Sequence, residues 1–310
     1  VVSAAVSLRP ERTKIVTETR NFPTDNYIAE GVIRQCGNRH RLVHVDRPQD
    51  IAAALDDDTA VLMLTHVNYR DGSLHDMADL TRAAHDAGAL VVWDLAHSAG
   101  ALRVDLAGCN ADFAVGCGYK YLNGGPGAPA FLYVAPRHHG GFRQPLSGWF
   151  GHRDPFEFTP QYDAAGDIGQ YLCGTPPVLS MVALDAALDV WEGVNMTALR
   201  AKSQALTGYF IELVETRCAG HGLTLISPRN PDARGSQVSF THAQGGYAII
   251  SALIADGVIG DFRAPDVLRF GFTPLYTSFA DVWHAVDRMA AIMNERRWDK
   301  PEFHARKAVT

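Results

Sequence analysis

Two apolar segments that each lead into a charged residue constrain the fold of this chain more than any other feature. Residues 91–93 run into Asp94, and residues 113–117 run through Gly118 and Tyr119 into Lys120. In an open α/β sheet, functional groups gather at the carboxyl ends of the strands. We therefore expect Asp94 and Lys120 to lie at two neighbouring strand ends and to share one crevice.

An acid and a lysine in this arrangement suit one particular cofactor. An aspartate can keep a pyridinium nitrogen protonated, and a lysine can form an imine with pyridoxal 5'-phosphate (PLP). A structural salt bridge between Asp94 and Lys120 is the alternative at this point, because a perturbed charge pair does not by itself define a functional site.

Strand-like and helical patterns alternate along the first half of the chain. Strands are predicted at residues 14–18, 41–45, 60–65, 90–93, 113–117 and 130–134. Helices are predicted between them: one that follows residues 21–25 and ends at about residue 35, and two more at residues 49–55 and 76–87. This alternation predicts an α/β fold with a mostly parallel central sheet and helices on both faces.

The pattern changes after residue 140, where an irregular Gly/Pro-rich segment with several aromatic residues begins. Long loops of this kind inside compact enzymes are usually functional. Helices at residues 179–191, 198–217, 246–254 and 279–294 then interleave with short strands at 224–226, 237–240 and 267–272, and Ser278 with Asp281 is a typical start signal for the last helix. We predict a large domain over residues 1–175, with an apparently truncated N-terminus, and a linking helix with a smaller C-terminal α+β domain over residues 176–310.

Composition argues against several classes of protein. The 310 residues carry a net charge of -6 and contain no run of Lys or Arg, which disfavours a nucleic-acid-binding protein. Five scattered cysteines without a CxxC pattern indicate free thiols in a reducing compartment, and we expect a cytoplasmic protein. Neither a membrane span nor a signal peptide is predicted. His138 and His139 are interpreted as solvated loop residues, so no metal site is expected.

Five stretches, in order along the chain, resemble one known family. They are Asn-Phe-Pro-Thr-Asp at 21–25, Asp-Leu-Ala-His at 94–97, Tyr-Lys-Tyr-Leu-Asn at 119–123, Gly-Trp-Phe-Gly-His at 148–152 and Arg-Phe-Gly-Phe-Thr-Pro-Leu-Tyr at 269–276. Together they resemble the kynureninases, PLP enzymes of the aspartate aminotransferase fold (fold type I). The resemblance implies a homodimeric hydrolase with active sites at the interface. It would split L-kynurenine, or 3-hydroxykynurenine, into anthranilate, or 3-hydroxyanthranilate, and L-alanine in tryptophan catabolism, on the kynurenine pathway that leads to NAD biosynthesis.

The resemblance also implies catalytic roles for three residues. Lys120 would be the lysine that binds PLP covalently, and Asp94 would pair with the pyridine nitrogen. Tyr119 would contact the phosphate, and it is our candidate for the donor of a proton to the substrate-derived carbanion, a role for which a positioned tyrosine is chemically adequate.

Four further residues would line the cofactor pocket in the same family pattern. Phe22 would stack on the PLP ring, with packing in the hydrophobic core as its alternative, and Asp25 would lie close to the ring. Thr65, at the end of an apolar strand, and His97, three residues after Asp94, would complete the pocket.

The remaining predicted residues lie in the second half of the sequence. Trp149 and Thr175 match positions that reach the phosphate of the neighbouring subunit, and an indole N–H and a hydroxyl are suitable donors for it. Arg269 would bind the substrate α-carboxylate through a bidentate fork that a lysine could not copy. Arg263 is its nearest competitor for that role.

Two other functions fit the same residues. One is another fold type I PLP enzyme, either an aminotransferase or a cysteine desulfurase, for which Cys173 is the candidate catalytic cysteine. The other is a non-catalytic PLP-binding subunit. The chain starts without Met on an apolar run, so we expect that further residues precede Val1, including a Ser/Thr-bearing loop that in the family binds the phosphate at a helix N-terminus.

Overall fold

The computed structural model describes residues 1–142 and 144–306, and the chain divides into two compact units. The first unit comprises residues 1–66, 75–99 and 104–193, and the second comprises residues 67–74, 100–103 and the chain from residue 194 onward. The helix that follows Pro177 therefore falls in the first unit. The domain boundary after residue 175 stays a prediction.

Six strands build the central sheet of the first unit. They are β1 (Lys14–Glu18), β2 (Arg41–Val45), β3 (Thr59–Thr65), β4 (Leu90–Asp94), β5 (Phe113–Cys117) and β6 (Ala130–Val134). Their order is β2-β1-β3-β4-β5-β6, and every neighbouring pair is parallel except β5 with β6. The predicted α/β fold with a mostly parallel sheet is confirmed.

Helices cover both faces of this sheet, with α1 (Val2–Ser7) and α2 (Pro23–Gln35) on one face and α3 (Met77–Asp86) on the other. Helix α4 (Val178–Leu188) also belongs to the first unit. Val61 and Met63 of β3 point into a core shared with α1 and α2, whereas Leu62 and Leu64 point into the core shared with α3. Because both faces are buried, β3 is apolar along its whole length instead of alternating.

Two local expectations for the first unit were wrong. The helix predicted over residues 49–55 is a pair of short 3-10 turns, in which Ile51 is buried and Ala54 and Leu55 pack against the same core. His138 is not simply solvated: its ring stacks on Phe113 and its Nε2 lies 2.7 Å from a carboxylate oxygen of Asp112, which is 1% exposed.

The strand order creates a switch point beside β1. The chain places β2 on one side of β1 and then crosses to add β3 on the other side. In doubly wound sheets a ligand crevice opens at such a point, outside the carboxyl ends of the strands. Residues that follow β1, β3, β4 and β5 therefore meet at one edge of the sheet.

The second unit is a four-stranded antiparallel sheet packed with helices. Its strands are β7 (Thr224–Leu225), β8 (Gln237–Thr241), β9 (Asp261–Arg263) and β10 (Val267–Gly271), in the order β7-β8-β10-β9. Its helices are α5 (Met196–Arg217), α6 (Gly246–Ala255), α7 (Phe279–Asn294) and α8 (Pro301–His304).

Aromatic side chains fill the core of the second unit. Phe210 of α5 contacts the rings of Phe240 and Phe270 from the sheet, at centroid distances of 6.2 and 5.0 Å.

The predicted start of α7 is confirmed, because Ser278 and Asp281 form a reciprocal capping box. Strand β9 was not predicted. Among the residues that the structure describes, no helix is long and apolar enough to cross a membrane.

Candidate active site

Asp94 stands at the edge of the sheet where the predicted crevice lies. It is the last residue of β4, and it pairs in register with Thr65, the last residue of β3. Its Oδ1 accepts a hydrogen bond from the backbone N–H of Ala96 at 2.7 Å, which fixes the carboxylate over the strand end. Thr65 is 1% exposed, so it is buried beside Asp94 at this end of the sheet.

A second acid faces Asp94. Asp25 lies in the first turn of α2, which follows β1, and its carboxyl group is hydrogen-bonded to that of Asp94. Burial, then the charge of Asp94, raises the pKa of Asp25 to about 7, and burial also raises the pKa of Asp94. Two interacting buried carboxylates cannot both ionise readily, so the pair keeps a proton to a higher pH than isolated carboxyl groups do.

Lys120 lies within electrostatic range of both acids, and its positive charge counteracts the rise of their pKa values. Its Nζ is 3.1 Å from Nε2 of His97 and 5.6 Å from the ring centroid of Tyr119. His97 is 8% exposed, whereas Tyr119 is 51% exposed. The structure thus brings Asp94 and Lys120 together, as the strand-end argument predicts, and adds Asp25, His97 and Tyr119 to the same group.

Phe22 is held at the start of α2 by a buried polar network. Its backbone N–H donates to Oδ1 of Asn21 at 2.7 Å, and the Asn21 amide donates to the hydroxyl of Thr17 at 3.2 Å. That hydroxyl in turn donates to Oδ1 of Asn26 at 3.1 Å. The ring of Phe22 is 40% exposed, so it does not pack in the core. Asn21, Thr17 and Asn26 were missed from the sequence, where only the Asn-Phe-Pro start of the helix gave a signal.

Trp149 and Thr175 belong to a second group in the first unit. An added Cβ at Gly148 would lie 1.6 Å from the carbonyl oxygen of Cys173, so the loop that carries Trp149 is in backbone contact with the segment that leads to Thr175. The Trp149 ring lies among aromatic rings of its own loop, those of Phe150, Phe156 and Phe158. Thr175 is exposed.

Arg269 lies in the second unit, inside strand β10. Its guanidinium makes a bidentate contact with Asp261, with Nε–Oδ1 at 2.9 Å and Nη2–Oδ2 at 2.6 Å, and Nη1 donates to the carbonyl of Tyr69 at 2.5 Å. Its competitor Arg263 lies on β9, with Nε 3.4 Å from Oδ1 of Asp261. Asp261 was missed because β9 was not predicted: its sequence, Asp-Phe-Arg, is no apolar run, and only Pro265-Asp266 before β10 gives a turn signal.

The strand-end group has the chemistry to hold PLP. Oδ2 of Asp25 is buried and has no hydrogen-bond partner among the described residues. A pyridinium nitrogen would offer these acids a proton donor and a positive charge, and Lys120 is an amine at the same edge. The residues present therefore fit the cofactor that the resemblance implies.

Solved structures share the fold of this chain. A cysteine desulfurase from Thermococcus onnurineus superposes with a TM-score of 0.79 at 20% identity, over 95% of this chain and 76% of that chain. C-DES with glycine covalently linked to its PLP cofactor superposes with a TM-score of 0.75 at 17% identity, over 93% of this chain and 78% of that chain. At these identities the likeness shows the fold type I architecture alone.

Relatives in sequence identify the family. The family model described as the kynureninase C-terminal domain matches residues 199–289. A kynureninase from Burkholderia mallei is 55% identical over 301 residues, covering 97% of this chain and 72% of that protein. A kynureninase from Pseudomonas fluorescens is 53% identical over 314 residues, covering 100% of this chain and 75% of that protein. With this identity over nearly its whole length, the chain belongs to the kynureninase family.

Proposed function

We propose that this chain uses PLP to hydrolyse L-kynurenine to anthranilate and L-alanine, with 3-hydroxykynurenine as the alternative substrate. The observation that carries the proposal is the buried Asp25–Asp94 pair beside Lys120, in a chain that belongs to the kynureninase family. The desulfurase and aminotransferase alternatives share only the fold with this chain.

The acids and the lysine take complementary parts. PLP, when bound, supplies an electron sink for a carbanion at the substrate α-carbon. Asp94 would keep a proton on the pyridine nitrogen, and Asp25, which interacts with the Asp94 carboxyl group, would support it in that role. Lys120 anchors the cofactor and removes the proton from the α-carbon. The close contact with His97 keeps the Lys120 amine over this edge of the sheet.

The hydrolysis adds one water across the bond between Cβ and Cγ of the substrate. The hydroxyl goes to Cγ, which becomes the carboxylate carbon of anthranilate, and a proton goes to Cβ, which becomes the methyl group of alanine. Tyr119 is our donor of that proton, because its phenol is accessible and lies next to Lys120.

Binding of cofactor and substrate uses the remaining predicted residues. Phe22, with its ring exposed at the start of α2, stacks on the cofactor, and Thr65 and His97 line the pocket. Arg269 binds the substrate α-carboxylate through its planar fork.

We further propose a cytoplasmic homodimer in which Trp149 and Thr175 reach the phosphate bound by the neighbouring subunit. Helix α4, which follows Thr175, supports this assembly because it is apolar yet has no buried residue, with Leu179 90% exposed. Large exposed apolar surfaces of this kind mark protein interfaces. Five free thiols agree with a reducing compartment.

Anthranilate fluorescence after addition of L-kynurenine and PLP tests the proposal. The unaltered chain should release anthranilate and alanine in equal amounts, and Lys120→Ala should lower the rate by about a thousandfold or more. Lys202→Ala, which removes a lysine from α5, is the matched control and should leave the rate unchanged.

Two outcomes would contradict the proposal. One is anthranilate release by Lys120→Ala at the rate of the unaltered chain. The other is a chain that binds PLP yet releases no anthranilate; sulfur transfer from L-cysteine to the thiol of Cys173, with release of alanine, would then favour a desulfurase.

A further inference from the structure

The Arg269 guanidinium is held along two of its edges. Asp261 accepts from Nε and Nη2, and the Tyr69 carbonyl accepts from Nη1. A guanidinium has five N–H groups in a fixed plane. Within the described part of the chain, these contacts use three of them and leave one N–H on each terminal nitrogen. One N–H on each terminal nitrogen is what an end-on, bidentate contact with the two oxygens of a carboxylate requires.

We propose that Asp261 is a positioning residue for the substrate: it fixes the rotation of Arg269 so that the end-on pair of N–H groups meets the α-carboxylate. This inference rests on the proposed function, in which Arg269 binds that carboxylate. Asp261 itself does not contact the substrate. It acts through Arg269, whose side chain is 10% exposed and lies in a strand paired directly with that of Asp261.

The Tyr69 carbonyl, which accepts from Nη1 of Arg269, is itself held in place. The Tyr69 carbonyl also accepts from the Gln237 amide at 3.1 Å, which holds this acceptor in place. The segment that carries Tyr69 is tied down at Gly72, whose carbonyl accepts from the N–H of Gly235 at 2.8 Å. An added Cβ at Gly72, where φ is +75°, would lie 2.6 Å from the Gln237 side chain. Arg269 is therefore oriented by one movable side-chain contact, Asp261, and one rigid backbone contact.

The charges around Asp261 still favour an anion, since the other acid of the hairpin, Asp266, is paired with Arg70 at 3.2 Å. Asp261 contacts both Arg269 and Arg263, so the three side chains keep one net positive charge. An aspartate that only neutralised Arg269 would weaken substrate binding, whereas an aspartate that orients it strengthens binding through geometry. These two roles predict opposite changes in KM when the carboxylate is removed.

Steady-state kinetics of Asp261→Ala and Asp261→Asn separate the two roles. For Asp261→Ala we expect KM for L-kynurenine to rise about tenfold with kcat changed less than about threefold. The variant loses the charge-assisted contacts that orient Arg269, which weakens substrate binding but leaves the groups of the chemical step in place. Asp261→Asn keeps one side-chain oxygen acceptor and should show a smaller rise. Asp256→Ala, which removes the aspartate paired with Arg297 at 2.9 Å elsewhere in the unit, is the control and should leave KM unchanged.

A pair of inhibitors adds a readout that a purely structural role would not move. L-Alanine carries the α-carboxylate, and ethylamine is its counterpart without that group. Asp261→Ala should weaken inhibition by alanine and leave inhibition by ethylamine unchanged. An unchanged or lowered KM in both Asp261 variants, or equal weakening of both inhibitors, would overturn the inference. If the unaltered chain releases no anthranilate, the proposed function fails, which is a separate result.

Discussion

The two sheets of the molecule place their functional side chains in different ways. In the parallel sheet of the first unit, Asp94 ends one strand and Lys120 follows the next, so both groups leave the sheet at its carboxyl edge. In the antiparallel sheet of the second unit, Arg269 lies inside a strand and is oriented by Asp261 on the neighbouring strand. The first arrangement follows from chain direction alone, and the second depends on which strands pair.

The acids of the two sheets also differ in their charge environment. The acids at the carboxyl edge of the parallel sheet are buried against each other, with raised pKa values that the nearby charge of Lys120 only partly offsets. The acid in the antiparallel hairpin already has its cation, in a bidentate pair with Arg269. We expect substitutions at the parallel edge to change chemistry and protonation, and substitutions in the hairpin to change substrate binding.

The largest effect is expected for Asp94→Ala. Loss of the carboxylate removes the group that keeps the pyridine nitrogen protonated, and kcat should fall by about a thousandfold. The rate of anthranilate release at saturating L-kynurenine and PLP measures this fall in kcat. Asp46→Ala, at an exposed position after β2, is the control. If kcat of Asp94→Ala fell by less than about tenfold, the carboxyl edge of the parallel sheet would not be the place where the reaction occurs.

Protonation of the acid pair should appear in the stability of the protein without PLP. Asp25 has a folded pKa of about 7, and in the unfolded chain it ionises near the ordinary value of 3.8. Between these pH values only the folded state holds the proton, so this group's contribution to stability is lost as pH rises through the window. Asp25→Asn has no such proton. The stability of this variant relative to the unaltered chain should therefore increase from pH 4 to pH 8, by about 2–4 kcal/mol.

Urea unfolding at pH 4, 6 and 8 measures this difference. Glu30→Gln, which replaces an exposed acid of the same helix, should give a curve parallel to that of the unaltered chain. A constant difference between Asp25→Asn and the unaltered chain across this range would contradict the shared proton.

Arg269→Lys tests the binding role of the hairpin. Lysine keeps the charge but lacks the planar fork, so KM for L-kynurenine should rise about thirtyfold while kcat changes little. Arg263→Lys is the matched change on the paired strand and should alter KM less than about threefold. The assignment of the two arginines would have to be exchanged if Arg263→Lys gave the larger rise.

A smaller effect is expected where the two loops of the first unit touch. Gly148→Ala must separate the Trp149 loop from the backbone of Cys173, and the apparent Kd for PLP should rise about tenfold if both loops serve the phosphate. Gly174→Ala is the control, since an added Cβ there meets nothing within 4 Å. Titration of PLP by its absorbance gives both values, and equal Kd values would separate these loops from cofactor binding.

The sequence was most informative where physics links position to function through chain direction. The apolar runs before Asp94 and Lys120 predicted both strands and the crevice, because a strand buried on both faces must be apolar and must end at the sheet edge. The start of α7 was equally readable, since Ser278 and Asp281 satisfy backbone groups locally.

Contacts between residues distant in sequence were not predictable in the same way. The facing of Asp25 and Asp94 depends on how α2 lies over the sheet edge, and nothing local at either residue records it. The partner of Arg269 was hidden because β9 has only three residues, too few to show an alternating pattern. The burial of Asp112 against His138 likewise arises from the tertiary packing of strand and turn.

The most direct test of the strand-end site is the mass of the protein after incubation with PLP and reduction by borohydride. If PLP binds covalently at the carboxyl edge of the parallel sheet, the protein should carry one phosphopyridoxyl group. Peptide mapping should locate this group on Lys120, and the Lys120→Ala variant should lack it. Labelling of another lysine at the same yield, or no labelling of a folded chain at saturating PLP, would contradict the assignment of this edge as the cofactor site.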